Sequence, residues 1–304
     1  MKTFRSNGKL LITGEYTVLD KALALAIPTK FGQTLEVKAN QHDAIRWEAY
    51  KNNGQLWFSA NLDLGDIQNG NQKNLNTIEE TRLLEILQVA NKLNPKTLSA
   101  VTGHNVITRL EFPQNWGLGS SSTLINNIAL WFEVDAYKLL SSTFKGSGYD
   151  IAAANTDYPI TYQLTNSGRS ILTSNFNPSF KDSLFFVHLN QKQNSRESIA
   201  HYKAQDKESL ISDIEKVSAL TRSFVTCETL EEFKLLMNIH ETLISRLINT
   251  PKIKSQLFPD FKGAIKSLGG WGGDFIIATG GSEEQEYFKE KGYNTILTFS
   301  EMTL

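Results

Sequence analysis

The sequence predicts an α+β protein of two domains, and three observations lead there. The chain has 304 residues, 40% hydrophobic and 21% charged, which is enough for two ordinary domains with real cores. Short strand-like runs alternate with helical patterns along its whole length. Its second half orders as strand, helices, strand, helix, strand, the pattern of helices packed on a sheet. Composition shifts at Ser174 to Asp182, where Asn, Pro and Ser gather, so the domains are placed at 1–176 and 177–304.

In order, Leu10 to Ile12, Ala22 to Pro28 and Thr34 to Val37 read as strands. Ile45 to Tyr50 and Gln55 to Ser59 read as a hairpin around Lys51-Asn52-Asn53-Gly54. Asn61 to Asn76, rich in Asn, Asp, Gly and Gln, reads as a surface loop. Thr77 to Leu93 has helical spacing with acidic residues early, and Val106 to Phe112 alternates like a strand. A helix follows from Ser120, with Leu124, Ile125, Ile128, Ala129 and Phe132 on one face. Ile160 to Leu164 and Ser170 to Thr173 pair around a turn. Beyond the boundary come a strand at Leu184 to Leu189 and helices at Arg196 to Gln205, Lys207 to Cys227 and Leu230 to Ile248. A short helix is expected from Pro259 to about Leu268, then a strand from Asp274 to Ala278, a helix from Ser282 to Lys291 and a strand from Tyr293 to Phe299.

Composition excludes several function classes. A net charge of −1 gives no electrostatic case for nucleic acid or an anionic membrane. The single cysteine, Cys227, can form no internal disulfide, and the five histidines lack metal-ligand spacing, so they read as structural or surface residues. No run reaches the roughly 18 apolar residues that span a bilayer. Met1 to Leu11 has no long apolar core or cleavage site, and a cytoplasmic protein is expected. There is no Gly-x-Ser-x-Gly elbow for a hydrolase.

The stretch richest in chemistry is Asn115-Trp116-Gly117-Leu118-Gly119-Ser120-Ser121-Ser122-Thr123. Two glycines free the backbone to bend close to a ligand, and the hydroxyl residues open a helix whose free N–H groups and dipole suit a phosphate. A capped core helix explains the same residues. No Gly-Lys-Ser/Thr closes the loop, so it is not a Walker A loop, and its form does not fit a dinucleotide fingerprint. Asp150, in Lys145-Gly146-Ser147-Gly148-Tyr149-Asp150, either accepts a proton from a hydroxyl or caps the helix beginning at Ile151. Lys9 either balances a carboxylate or phosphate oxygen or is a solvated lysine. Glu15 is a turn acid or a ligand. Trp271, inside Gly269-Gly270-Trp271-Gly272-Gly273, reads as packing more readily than as a base-stacking ring.

Together these stretches resemble the GHMP kinase superfamily along nearly the whole chain. Ser6-Asn7-Gly8-Lys9 through Gly14-Glu15-Tyr16 to Leu19 resembles its first motif, Gly117 to Ser122 its second, and Gly269 to Asp274 lies where its third belongs. Gly14-Glu15-Tyr16, Gly146 to Ala154 and the loop Lys192-Gln193-Asn194-Ser195 are most similar to the mevalonate and phosphomevalonate kinases. The resemblance implies an N-terminal domain with a left-handed β-α-β crossover and a ferredoxin-like C-terminal domain, with ATP between them. It implies an ATP-dependent kinase acting on 5-phosphomevalonate or mevalonate in isoprenoid precursor synthesis; another small alcohol or sugar, or a non-catalytic binding protein of the same fold, is the alternative.

By the same resemblance, Asp150 and Lys9 are catalytic. Asn115, Trp116, Gly117, Leu118, Gly119, Ser120, Ser121 and Ser122 bind ATP, and Ser121 faces Mg²⁺. Glu15, Tyr16, Gly148, Lys192 and Gly272 bind substrate, with Lys9, Lys145, Lys192 and Arg196 as candidates to meet a substrate phosphate. The implied partners are ATP and a small molecule, with no nucleic acid or membrane, and self-association as a homodimer left open. The chain departs from the family pattern in three ways. Asn7 replaces a proline, Leu139 and Leu140 stand where mevalonate kinase carries an acidic Mg²⁺ ligand, and Trp271 replaces a small residue, which implies a nucleotide site narrowed or closed.

Overall fold

A computed structural model describes residues 1–71, 75–98, 103–191, 200, 202–204 and 206–304. The chain divides into two compact units that share strands: Met1–Gly8, Phe31–Gln114 and Gly119–Asn155 form the first, and Lys9–Lys30, Asn115–Leu118 and Thr156–Leu304 the second.

The long strands β1 (Lys2–Thr13) and β2 (Ala24–Ala39) pair with each other and contribute to both units. The two β-like runs at Ala22–Pro28 and Thr34–Val37 are therefore one strand. In the first unit, β3 (Ala44–Tyr50) and β4 (Leu56–Asp63) form the expected hairpin. The segment read as a loop instead continues β4 to Asp63 and adds a short helix, α1 (Leu64–Asn69). Asp63 caps it by accepting the Asp66 N–H, and Gly70 ends it at φ 68°. Too short to show a helical period, α1 still buries Leu64 and Ile67.

Helix α2 (Ile78–Leu93) opens on a capping box between Thr77 and Glu80. Strand β5 (His104–Leu110) runs antiparallel to β2 and parallel to β3. Then come α3 (Ser120–Phe132), α4 (Ala136–Thr143) and α5 (Tyr149–Ala154). Leu139 and Leu140 of α4 are buried in one core with Leu87, Val106, Ile125, Ile128, Trp131 and Phe132. Their place in α4 is thus a packing position.

In the second unit, β6 (Ile160–Thr165) pairs with the Ala24–Ala26 end of β2 and with β7 (Gly168–Thr173). After β8 (Leu184–His188) come helices α6 (Lys207–Thr226), α7 (Leu230–Leu247) and α8 (Ile253–Leu257). The chain then forms β9 (Ile265–Ser267), β10 (Phe275–Thr279), α9 (Ser282–Glu290), β11 (Ile296–Thr298) and α10 (Phe299–Met302). The expected helix from Pro259 to Leu268 is absent. Ile265, Lys266 and Ser267 pair with β10 instead, all three buried, and a short strand buried on both faces leaves no alternation to read.

The sheet order β11-β8-β10-β9, antiparallel throughout, is 4-1-3-2 in chain order. With helices after the first and third strands, this is the ferredoxin-like split βαβ expected for the C-terminal half.

Candidate active site

In the first unit, α3 starts with Gly119 at φ 88° and no side-chain cap, whereas α2 and α7 open on capping threonines. Its first N–H groups are therefore left for a ligand or water. Ser122 turns its hydroxyl back onto the Gly119 carbonyl at 2.8 Å, while Ser121 is exposed.

The helix is held from the other side by polar contacts. Ser6 Oγ donates to Asn127 Oδ1 at 2.7 Å and accepts from Asn126 Nδ2 at 2.9 Å. Asn127 also donates to the Gln33 carbonyl at 2.9 Å, and Thr123 Oγ1 to Gln33 Oε1 at 2.7 Å. Asn7, where the motif has proline, is buried and accepts from Arg5. Gly148, at φ 89°, opens α5, and half-buried Asp150 accepts the Ile151 N–H at 3.0 Å.

The second unit carries the rest of the glycine loop. Lys9 donates its backbone N–H to the Leu118 carbonyl at 3.0 Å and its ammonium to the Gly117 carbonyl at 2.7 Å. Gly117 sits at φ 66°, and a Cβ built there would lie 2.4 Å from the Asp274 carboxylate. His188, at the end of β8, accepts the Asn190 N–H on Nδ1, so its Nε2–H donates to the Asn115 carbonyl, 3.0 Å away. The Trp116 ring meets Phe275 edge-on at 5.3 Å. Asn115 to Leu118 is thus fastened to β1 and to the adjoining ends of β8 and β10.

Glu15 and Tyr16 lie deeper in the same unit. Glu15 is 1% exposed and paired with Lys266, which is fully buried and also donates to the Ser267 carbonyl at 2.8 Å. Burial raises the Glu15 carboxyl above its ordinary value, with Lys266 opposing. Gly14 lies within hydrogen-bond reach of His240 Nε2 at 3.3 Å, and the same nitrogen is 3.4 Å from Glu15 Oε2. Burial holds His240 well below the usual histidine range, with repulsion by Lys266 adding to it. Glu241, 1% exposed, accepts the Ser267 N–H at 2.9 Å and is pushed by burial up to about 8.

The Trp271 ring, expected to narrow the nucleotide site, is 1% exposed in a core cluster with Tyr16, Tyr202, Val217, Leu243 and Ile244. Its role there is packing. Gly272 follows it in the loop, with its carbonyl accepting from Gln191.

The sequence therefore placed Lys9 and Asn115 to Leu118 in stretches that meet within the second unit. Ser120, Ser121, Ser122, Gly148 and Asp150 belong to the first. Lys192 and Arg196 lie outside the described residues. Lys266, His240, Glu241 and Asp274 were missed as partners. One signal existed: Phe233, Leu236, Met237 and Ile244 mark the buried face of α7, and helical spacing puts His240 on it. Among the described residues, no group of three or more His, Cys, Asp or Glu could hold a metal, and no helix is long and apolar enough to cross a membrane.

No protein-family model and no curated protein matches the sequence. Solved structures do match its fold. Mevalonate kinase of Methanococcus jannaschii aligns at 18% identity over 97% of this chain and 96% of its own, with a TM-score of 0.71. Phosphomevalonate kinase of Streptococcus pneumoniae, solved with phosphomevalonate and AMPPNP, aligns at 16% identity over 98% of this chain and 100% of its own, with a TM-score of 0.70. Galactokinase of Lactococcus lactis, solved with galactose, aligns at 13% identity over 100% and 93%, with a TM-score of 0.68. This chain has the two-domain α+β fold of the GHMP kinases.

Proposed function

We propose that the chain is an ATP-dependent kinase that phosphorylates 5-phosphomevalonate or mevalonate, with the domain boundary near residue 176. The observation that carries this reading is the glycine-serine stretch: a loop fastened by Lys9 at Gly117 that runs into an uncapped helix start at Ser120. Phosphoryl transfer asks the protein mainly for orientation and charge neutralisation, and these residue types supply both. The amides of Gly117 to Ser122 would hold ATP phosphates, and Lys9 would stabilise charge on the transferred group. Asp150 would orient the substrate hydroxyl. Its bond from the Ile151 N–H holds the carboxylate in place.

Ser121 fits Mg²⁺ as an exposed hydroxyl oxygen, a hard donor for an ion otherwise held by phosphate and water. The bound ion would neutralise developing phosphate charge. The lean toward 5-phosphomevalonate rests on the similarity of Gly14-Glu15-Tyr16 and Gly146 to Ala154 to the phosphomevalonate kinases.

Coupled measurement of Mg²⁺-dependent ADP release tests the proposal, with mevalonate, 5-phosphomevalonate, galactose and homoserine as acceptors. Turnover on 5-phosphomevalonate or mevalonate is expected; turnover on galactose or homoserine alone would replace the substrate, and turnover on none would refute the reading. Asp150→Asn should abolish turnover while leaving ATP affinity nearly intact. A small loss of turnover would show that Asp150 does not orient the hydroxyl.

A further inference from the structure

The second unit contains a buried ionic cluster around Glu15, and the proposed chemistry gives no work to its other members. Glu15, His240, Glu241 and Lys266 are each at most 1% exposed. Two of its atoms, Glu15 Oε2 and His240 Nδ1, lack a hydrogen-bond partner among the described residues. Buried ion pairs of this kind contribute little net stability, because desolvation offsets attraction, and unpaired polar atoms subtract from it. Stability alone does not account for the cluster.

What the cluster holds is a strained turn. Gly14 lies at φ 90° and Tyr16 at φ 61°, a region a bulky L-residue rarely enters. A Cβ at Gly14 would meet the Ala24 Cβ at 2.7 Å, so only glycine fits there. Each residue of the turn has its own partner from the C-terminal half. Gly14 donates to His240, Glu15 pairs with Lys266, and the Tyr16 hydroxyl accepts the Trp271 N–H at 3.3 Å. Strain held in place by over-determining surroundings clusters at functional sites.

We infer that Lys266 is a positioning residue. Through Glu15 it fixes the turn Gly14 to Tyr16, and through the Tyr16 hydroxyl it sets the loop Gly269 to Gly273, two segments with residues expected to meet the alcohol substrate. This inference rests on the proposed kinase function.

The test is the full-length pair variant Glu15→Gln with Lys266→Met, compared with wild type. Both changes keep side-chain size and remove both charges at once, so the fold and melting temperature should be retained. Amide exchange across residues 13–18 should nevertheless become about tenfold faster or more. KM for whichever alcohol the wild type phosphorylates should rise by about tenfold or more, with nucleotide affinity changed by less than about threefold. A pair variant with wild-type melting, exchange and KM would overturn the inference. If that pair does not fold, Glu15→Gln with Lys266→Gln decides by the same readings. If the wild type phosphorylates no alcohol, the kinase reading fails on its own account, and exchange in the turn still decides for or against Lys266.

Discussion

Gly117 shows how tightly single residues are specified in the glycine loop. Its φ of 66° disfavours any side chain, and the Asp274 carboxylate occupies the space a Cβ would need. Gly117→Ala is expected to lower unfolding stability by about 1–3 kcal/mol in urea titration. A neutral result would mean that the loop relaxes freely there. Lys9 and Gly117 were legible in the sequence because each belongs to a short pattern of glycine beside polar residues. Asp274 and Lys266 were not legible as partners, since a contact between residues far apart in the chain leaves no trace in local spacing. Trp271 was ambiguous for a similar reason: a ring among glycines reads as packing or stacking until its neighbours, Tyr16 and the faces of α6 and α7, are known.

At the scale of elements, α3 was predicted as an amphipathic helix, and Ile125, Ile128, Ala129 and Phe132 do line its apolar face. Its other buried residues are polar. Asn126, Asn127 and Thr123 tie α3 to Ser6 and Gln33, so the helix is hydrogen-bonded to both β1 and β2. Asn127→Leu would leave Ser6 Oγ without its acceptor and the Gln33 carbonyl without its donor. Each buried loss costs about 1–3 kcal/mol, and a fall of that order per group is expected in denaturant unfolding. Unchanged stability would show that water or rearrangement replaces both bonds. Elements with local signals were read correctly, among them α2 with its capping box and the β3–β4 hairpin. Strand β9 was misread because three buried residues in a row, one of them a lysine, carry neither a helical nor a strand period.

For the whole molecule, the buried cluster sets the dependence of stability on pH. The folded state keeps a proton on Glu241 up to about pH 8, whereas the unfolded chain releases it near 4.5. Stability contributed there is complete below 4.5 and is lost as pH rises toward 8. His240 acts oppositely: the unfolded ring gains a proton below its ordinary 6.5 that the folded ring refuses, so acid destabilises. Above 6.5 the His240 effect is absent, and the raised carboxyls of Glu241 and Glu15 act in the same direction, so the melting temperature should fall as pH rises toward 8. Glu241→Gln, which keeps the acceptor for Ser267, should flatten that limb in calorimetry. An unaltered slope would mean that Glu241 is ionised in the folded protein. The overall architecture was legible through three motifs in order, while the 4-1-3-2 strand order was visible only as an implication of the family likeness, since periodicity says nothing of sheet order. The most direct test of the central claim, that the glycine-serine stretch holds nucleotide phosphates, is calorimetric titration of the full chain with AMPPNP and Mg²⁺. The account predicts saturable binding by the wild type that weakens by about tenfold in Lys9→Met, roughly the loss of one charge-assisted contact. Folded protein that binds no nucleotide, or binds it equally well without the Lys9 ammonium, would contradict it.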